Sequence, residues 1–163
     1  MLRWLVRIVL GLAVLAGLVY YGARLGDGPL GPIPGGPLRA GELVSEPVSD
    51  WSFAKDVPEI ELQLASQDLS RITWVLVHDG QAYIPCSLGY PPGKTWYRFA
   101  AQDGRATLRI QGRRYPVTLT RVEDASLEQA LLAEVQRKYP RVPRTDAGVW
   151  IFRVASRSEG PPS

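Results

Sequence analysis

The sequence predicts a mainly β, α+β protein: a small antiparallel barrel with one helix packed against it, preceded by a single transmembrane helix. Three observations carry that reading. An uncharged apolar run opens the chain; two apolar hairpins are marked by Asp79-Gly80 and Gln111-Gly112; and an amphipathic helix is followed by a last apolar strand. A two-residue hairpin turn needs positive φ at both central residues, which Asp-Gly tolerates, so alternating apolar arms on either side of it read as paired strands.

At 163 residues the chain can bury one ordinary core and carry an appendage, and two full domains are not expected. The formal net charge is +3 and belongs to the first 41 residues, where Arg3, Arg7, Arg24 and Arg39 face only Asp27. Beyond them, fifteen basic residues balance fifteen acidic ones. The folded part therefore lacks the basic footprint that nucleic-acid binding requires, and no nucleic-acid partner is expected. Cys86 stands alone, so no intrachain disulfide can form. With His78 the single histidine, a zinc site of His/Cys type has no support, and no metal site is expected. No paired-carboxylate, Ser/His/Asp or phosphate-loop constellation can be assembled, which leaves hydrolase readings without residues.

Residues 1–25 read as a transmembrane signal anchor. Ile8 to Ala23 carry no charge, and from Trp4 the run is interrupted only by Arg7, giving about 30 Å of helix. Trp4 and Tyr20-Tyr21 fall where interfacial aromatics sit, so residues 4–23 are expected in the lipid bilayer. A cleaved signal peptide is the competing reading, but Tyr20 and Tyr21 obstruct a small-residue cleavage site before Ala23. Arg3 and Arg7 ahead of the helix place the amino terminus in the cytoplasm, so the chain is expected in the inner membrane as a single-pass protein with its domain facing the periplasm or exterior. Residues 26–41, GDGPLGPIPGGPLRAG, read as a Pro/Gly-rich linker. Leu30, Ile33 and Leu38 recur within it, so a strap packed along the domain is the alternative to a plain spacer.

The barrel is expected over residues 42–155. Ile60, Leu62 and Leu64 alternate with polar neighbours and read as the first strand. In the Asp79-Gly80 hairpin, His78 should face Gln81, Leu76 face Tyr83 and Trp74 face Pro85, with Val75, Val77, Ala82 and Ile84 on the other side. Both faces are apolar, so the hairpin should sit centrally and be covered twice. A Pro/Gly loop follows, with a short helical turn at Trp96 to Ala101. In the second hairpin Ile110 should face Arg113, Leu108 face Tyr115 and Ala106 face Val117. Asp124 to Tyr139 reads as an amphipathic helix that Asp124 or Ser126 can cap and Pro140 ends. A proline-containing link leads to a last strand, Val149 to Val154, and residues 156–163 are expected to form a disordered tail.

The order of these elements and the run VLVHDGQAYIPCSLGYPPGKTWYRFAAQDGRATLRIQGRRYPVTLTRV, Val75 to Val122, resemble the FMN-binding split-barrel superfamily typified by pyridoxamine-phosphate oxidase, closest to its deazaflavin-dependent nitroreductase branch. The residues that carry this are Asp79-Gly80, Gly89 to Gly93, Trp96-Tyr97, Asp103 to Arg105, Thr107 to Ile110, Gly112 and Tyr115 to Val122. Arg98-Phe99 stands where that branch shows Asn-Leu. The resemblance implies a split barrel, FMN or a deazaflavin as cofactor, a small-molecule substrate, flavin-type oxidoreductase chemistry and a homodimer. It also implies cofactor-binding residues, carried over by position in the motif: Lys94, Thr95, Trp96, Arg98 and Arg109. A cofactor-free envelope module for binding or assembly remains the alternative.

The residues themselves leave each of these assignments open. Lys94, Trp96 and Arg98 could present a phosphate donor and a stacking ring, or Trp96 could plug the end of the barrel. Arg109 faces Arg114, a like-charge pair that an anion would offset, as would solvent or the acidic segment Glu42 to Glu61. His78 beside a turn reads as exposed and without role. Cys86, with no base at hand, reads as a small buried side chain.

Overall fold

The apolar opening run forms helix α1, Leu2–Leu25, in the computed structural model, which describes residues 2–140 and 146–158. Its stretch Arg3–Leu25 is long and apolar enough to cross a membrane. The Gly/Pro run that follows is a hairpin, β1 (Gly28–Leu30) with β2 (Ile33–Gly36). Gly35 of β2 pairs with Ser70 of β5 (Ser70–Trp74), so the run is a strap joined to the sheet edge. β3 (Glu42–Leu43) then lies parallel to the start of β9 (Arg113–Arg121).

β4 (Glu59–Leu64) alternates as its sequence predicts, with Ile60, Leu62 and Leu64 buried. It is not the first strand, because the strap's backbone pairs without any apolar period to announce it. β6 (Leu76–His78) and β7 (Gln81–Ser87) form the Asp79-Gly80 hairpin, with Leu76 opposite Tyr83 and His78 opposite Gln81. Asp79 and Gly80 both take positive φ, 49° and 73°, as the turn demands. α2 (Trp96–Gln102) fills the expected helical turn. β8 (Arg105–Ile110) meets β9 in the predicted register, Ile110 opposite Arg113, Leu108 opposite Tyr115 and Ala106 opposite Val117. α3 (Ala125–Lys138) is capped by Asp124, whose carboxylate accepts from the amides of Ser126 and Leu127. β10 (Val149–Ser156) closes the sheet between β7 and β9. Ser156 belongs to β10 and Arg157 N donates to Pro116 O, while residues 159–163 of the expected tail, like most of the proline-containing link at 141–145, lie outside the described residues.

Around the sheet the strands run β1-β2-β5-β4-β8-β9-β10-β7-β6. β5 and β6 lie at opposite ends of the barrel part of this order, yet only Val75 separates them in the chain. The sheet must therefore curl until its sides meet, which makes a split antiparallel barrel. Val75 is where the expected pairing of Trp74 with Pro85 fails: Trp74 faces Glu59 and Pro85 faces Ile151. The backbone leaves one partner strand there and joins another. The hairpin thus closes the barrel rather than occupying the middle of its sheet, but it is covered on both faces. Val75, Ala82 and Ile84 enter the barrel core, while Leu76 and Tyr83 join Leu131 and Val135 of α3 on the outside.

Aromatic rings close both ends of the core. A 3-10 turn at Ser52–Ala54 holds Trp51 with its ring 5.6 Å from that of Tyr115. At the opposite end, α2 places Trp96 with its ring 5.7 Å from that of Phe152.

Candidate functional site

Inward positions on two strands and one loop build the α2 end of the barrel. Arg71, Thr73 and Val75 share the inner side of β5, and Ala82, Ile84 and Cys86 share that of β7. Arg71 thus enters where the alternation of its strand would call for an apolar residue. Its guanidinium lies 5.9 Å from the centroid of Trp96 and donates to Gln67 Oε1 at 2.5 Å, while its Nε is buried without a partner. Burial brings the Arg71 guanidinium down to about 10, a shift that the neighbouring Cys86 opposes. From the loop, the Lys94 ammonium donates to the carbonyl of Tyr90 and lies against the Cys86 thiol. Burial lowers Lys94 as well. Among the described residues neither cation has a carboxylate partner.

The same end gathers two further arginines on rings. Arg98 lies 5.7 Å from the centroid of Tyr97, and Arg121 lies 4.0 Å from that of Trp150. Tyr97 and Trp150 meet edge to face at 5.1 Å. Four cations around an aromatic cluster, none paired with an acid among the described residues, make this end of the barrel attractive to an anion. Exposed arginines elsewhere are matched differently: Arg105 pairs with Asp103, Arg113 with Glu42 and Arg137 with Glu134.

Of the five residues singled out from the sequence, Lys94, Trp96 and Arg98 come together here. Thr95 is exposed at the start of α2, and its hydroxyl makes no capping bond. Trp96 is only 5% exposed and packs on Phe152, so its faces are not free to stack on a ligand. The exposed rings beside it are Tyr90 and Phe99. Arg109 is elsewhere, on the outer face of β8. It is paired with Glu61 and, at 2.6 Å, with Asp27, and both partners raise its pKa against the cost of burial. Its opposite number Arg114 donates to the carbonyls of Gly41 and Leu38. The like charges are thus offset within the chain, and Arg109 helps to line a shallow cavity of about 440 Å³ with Glu59, Glu61, Ile72 and Gln111. The residue that sequence reasoning missed is Arg71. Its signal was a charged residue at the inward phase of a strand whose later inward positions are Thr73 and Val75.

Cys86 sits between two cations, yet burial dominates and pushes its thiol up to about 11, against the pull of Lys94 and Arg71. At neutral pH it is a thiol and no nucleophile. The folded state holds a proton that an unfolded thiol, with its ordinary pKa of 9.0, gives up more readily. The stability this contributes is whole below pH 9 and drains away as pH rises toward 11. Urea midpoints in detergent at pH 8 and pH 11 should show a loss in the native chain that Cys86→Ser lacks, on the order of 2–3 kcal/mol for a shift of this size. Equal losses in both would place the thiol in contact with water.

No protein-family model matches the chain, and no curated protein matches it. Among solved structures it is similar to a Listeria innocua protein assigned to the pyridoxamine 5′-phosphate oxidases, at 12% identity over 61% of this chain and 83% of that one, with a TM-score of 0.46. It is also similar to a NimC/NimA family protein from Clostridium acetobutylicum, at 14% identity over 67% and 84%, with a TM-score of 0.45. At these values the likeness says nothing of this chain's chemistry.

Proposed function

We propose that this chain is a membrane-anchored split-barrel protein that binds a phosphate-bearing ligand at the α2 end, with FMN or a deazaflavin as the cofactor of an oxidoreductase acting on a small substrate. One observation carries the reading: Arg71 and Lys94 lie half-buried beside the core, without a carboxylate among the described residues. Such cations are costly unless an anion joins them. The resemblance of Val75 to Val122 to the deazaflavin branch supports a flavin-type phosphate as that anion. Arg71 and Lys94 would hold the phosphate, Thr95 and Arg98 its rim, and the exposed rings of Tyr90 or Phe99 would take the stacking role that Trp96 is too buried to fill. When bound, the cofactor supplies hydride or electron transfer, and the chain supplies orientation and charge. Arg109, tied to Asp27 and Glu61, steadies the strap and contributes to the ligand site only through the fold.

The anchor is read as uncleaved, with Arg3 and Arg7 on the cytoplasmic side of the inner membrane, the barrel outside it, and a homodimer as the assembled form. A second reading has its own observation. Trp96 and Tyr97 fill the mouth from within, which favours a cofactor-free envelope module for binding or assembly.

Titration of the full chain in detergent with FMN and with a deazaflavin, followed by cofactor fluorescence, separates the two. Micromolar binding is expected for one of them, weakened at least tenfold, about 1.4 kcal/mol or more, in Arg71→Gln and again in Lys94→Gln. If neither cofactor binds even at high micromolar concentration, the oxidoreductase reading falls and the module remains.

A further inference from the structure

The run from Gly26 to Gly41 has the composition of a flexible tether, yet its glycines lock it in place. A Cβ at Gly36 would collide with the carbonyl oxygens of Gly26 and Arg24, and one at Gly35 with the backbone of Gly28 and Pro29. Strand β2 therefore packs against the last turn of α1 at backbone contact, and Ala23 is buried there. Ser70 Oγ donates to Gly36 O at 2.6 Å, and Leu38 N donates to Gln63 Oε1 at 2.9 Å, which ties the strap to the barrel. Asp27, directly after the helix, accepts from the amides of Arg39 at 2.5 Å and Ala40 at 3.1 Å and pairs with Arg109. Desolvation works against the Asp27 carboxylate, but these donors hold it below its ordinary pKa. The joint is a clasp.

A clasp fixes how far the barrel stands from the bilayer. α1 rises about 1.5 Å per residue, so Leu25 lies about 6 Å beyond Tyr21, within the headgroup layer when the tyrosines sit at its inner boundary. The surface around the joint is amphipathic. Tyr21, Leu25 and Leu30 are 68%, 84% and 56% exposed. Arg24 lies 4.6 Å from the Tyr20 ring centroid and donates to its hydroxyl. Neither Arg24 nor the exposed Arg39 has a carboxylate partner among the described residues.

We propose that Tyr20, Tyr21, Arg24, Leu25, Leu30 and Arg39 form a collar that seats the barrel on the phosphate headgroups of an anionic phospholipid surface. The apolar side chains enter the headgroup boundary and the two guanidinium groups face lipid phosphate. The collar rests on the reading of α1 as a membrane anchor and holds whichever ligand the barrel takes.

The test uses the full chain with Cys86→Ser and Leu30→Cys, labelled with bimane at residue 30. It is reconstituted into phosphatidylcholine vesicles, with and without phosphatidylglycerol, that contain headgroup-spin-labelled lipid. Loss of at least half the emission is expected, and more with phosphatidylglycerol present. Gly36→Val should abolish the quenching, and quenching retained in that variant would overturn the clasp. Because that substitution can disorder the strap outright, Arg24→Gln with Arg39→Gln provides a second measure: it should remove the extra quenching due to phosphatidylglycerol. An unquenched label on a chain that stays in the membrane through a carbonate wash overturns the collar, as does quenching that ignores lipid charge. Release of the chain by carbonate would instead overturn the anchor.

Discussion

Trp96→Ala is expected to lower the unfolding free energy of the barrel by about 3–5 kcal/mol, the cost of emptying a large aromatic site in a packed core. The ring is 5% exposed, packs on Phe152 and lies beneath the Arg71 guanidinium. Its removal takes away transfer energy, aromatic contact and the apolar floor under a half-buried cation at once. Urea unfolding in detergent, followed by the fluorescence of the remaining tryptophans, measures the change. Alkylation of Cys86 supplies a local readout, because the thiol lies at the same end of the core and should become reactive as that end opens. A loss below about 1 kcal/mol would match a surface substitution and would return Trp96 to the role of an exposed ligand platform. The substitution thus decides between a tryptophan that shapes the site from beneath and one that touches what is bound.

The two hairpins were legible because their information is local. Asp79-Gly80 and Gln111-Gly112 fix the turn, and once the turn is fixed the alternation of side chains fixes the pairs of β6 with β7 and of β8 with β9, down to Arg109 opposite Arg114, while the expected Trp74–Pro85 pair is lost where the chain changes partner at Val75. α3 was legible for the same reason, its cap and apolar stripe lying within one segment. The strap was legible only as one of two readings, from the recurrence of Leu30, Ile33 and Leu38, and its strands were not legible: their pairing depends on glycines that allow backbones to touch, and that leaves no strand period to read. The site was half legible. Lys94, Trp96 and Arg98 are neighbours in sequence and stay neighbours in space. Arg109 looked free because its partner Asp27 is 82 residues away, beyond any pattern in the sequence. Arg71 was hidden by the reverse effect: it meets Cys86, against which Lys94 also lies, only when β5 and β7 become neighbouring walls of a closed barrel. A charge is thus placed by local pattern, but whether it is already matched is decided by topology.

That closure depends on a single residue, and the second large effect is expected where α3 holds it. At Val75 the chain passes from β5 to β6, and its buried backbone groups turn to α3. Val75 N donates to Tyr139 Oη at 3.2 Å, and the Tyr139 hydroxyl lies 2.9 Å from Val75 O and 2.7 Å from Pro58 O. The Lys138 ammonium donates to Val75 O at 2.9 Å, Val57 O at 2.8 Å and Lys55 O at 2.7 Å, so all three of its protons are used. The Tyr139 ring stacks on Trp74 at 5.1 Å. Tyr139→Phe keeps that stack and leaves the Val75 amide without an acceptor, which should cost about 1–3 kcal/mol. Lys138→Met keeps the apolar stem but takes the Lys138 donor from Val57 O and Lys55 O, and should cost a similar amount. Because both side chains serve Val75, the double variant should depart from the sum of the singles, with a coupling of about 0.5 kcal/mol or more. Hydrogen exchange locates the effect: the β6–β7 hairpin should lose protection before β8 and β9 do. Additive losses with uniform exchange would mean that the helix merely covers the barrel. Coupled losses confined to that hairpin would mean that it holds the barrel shut.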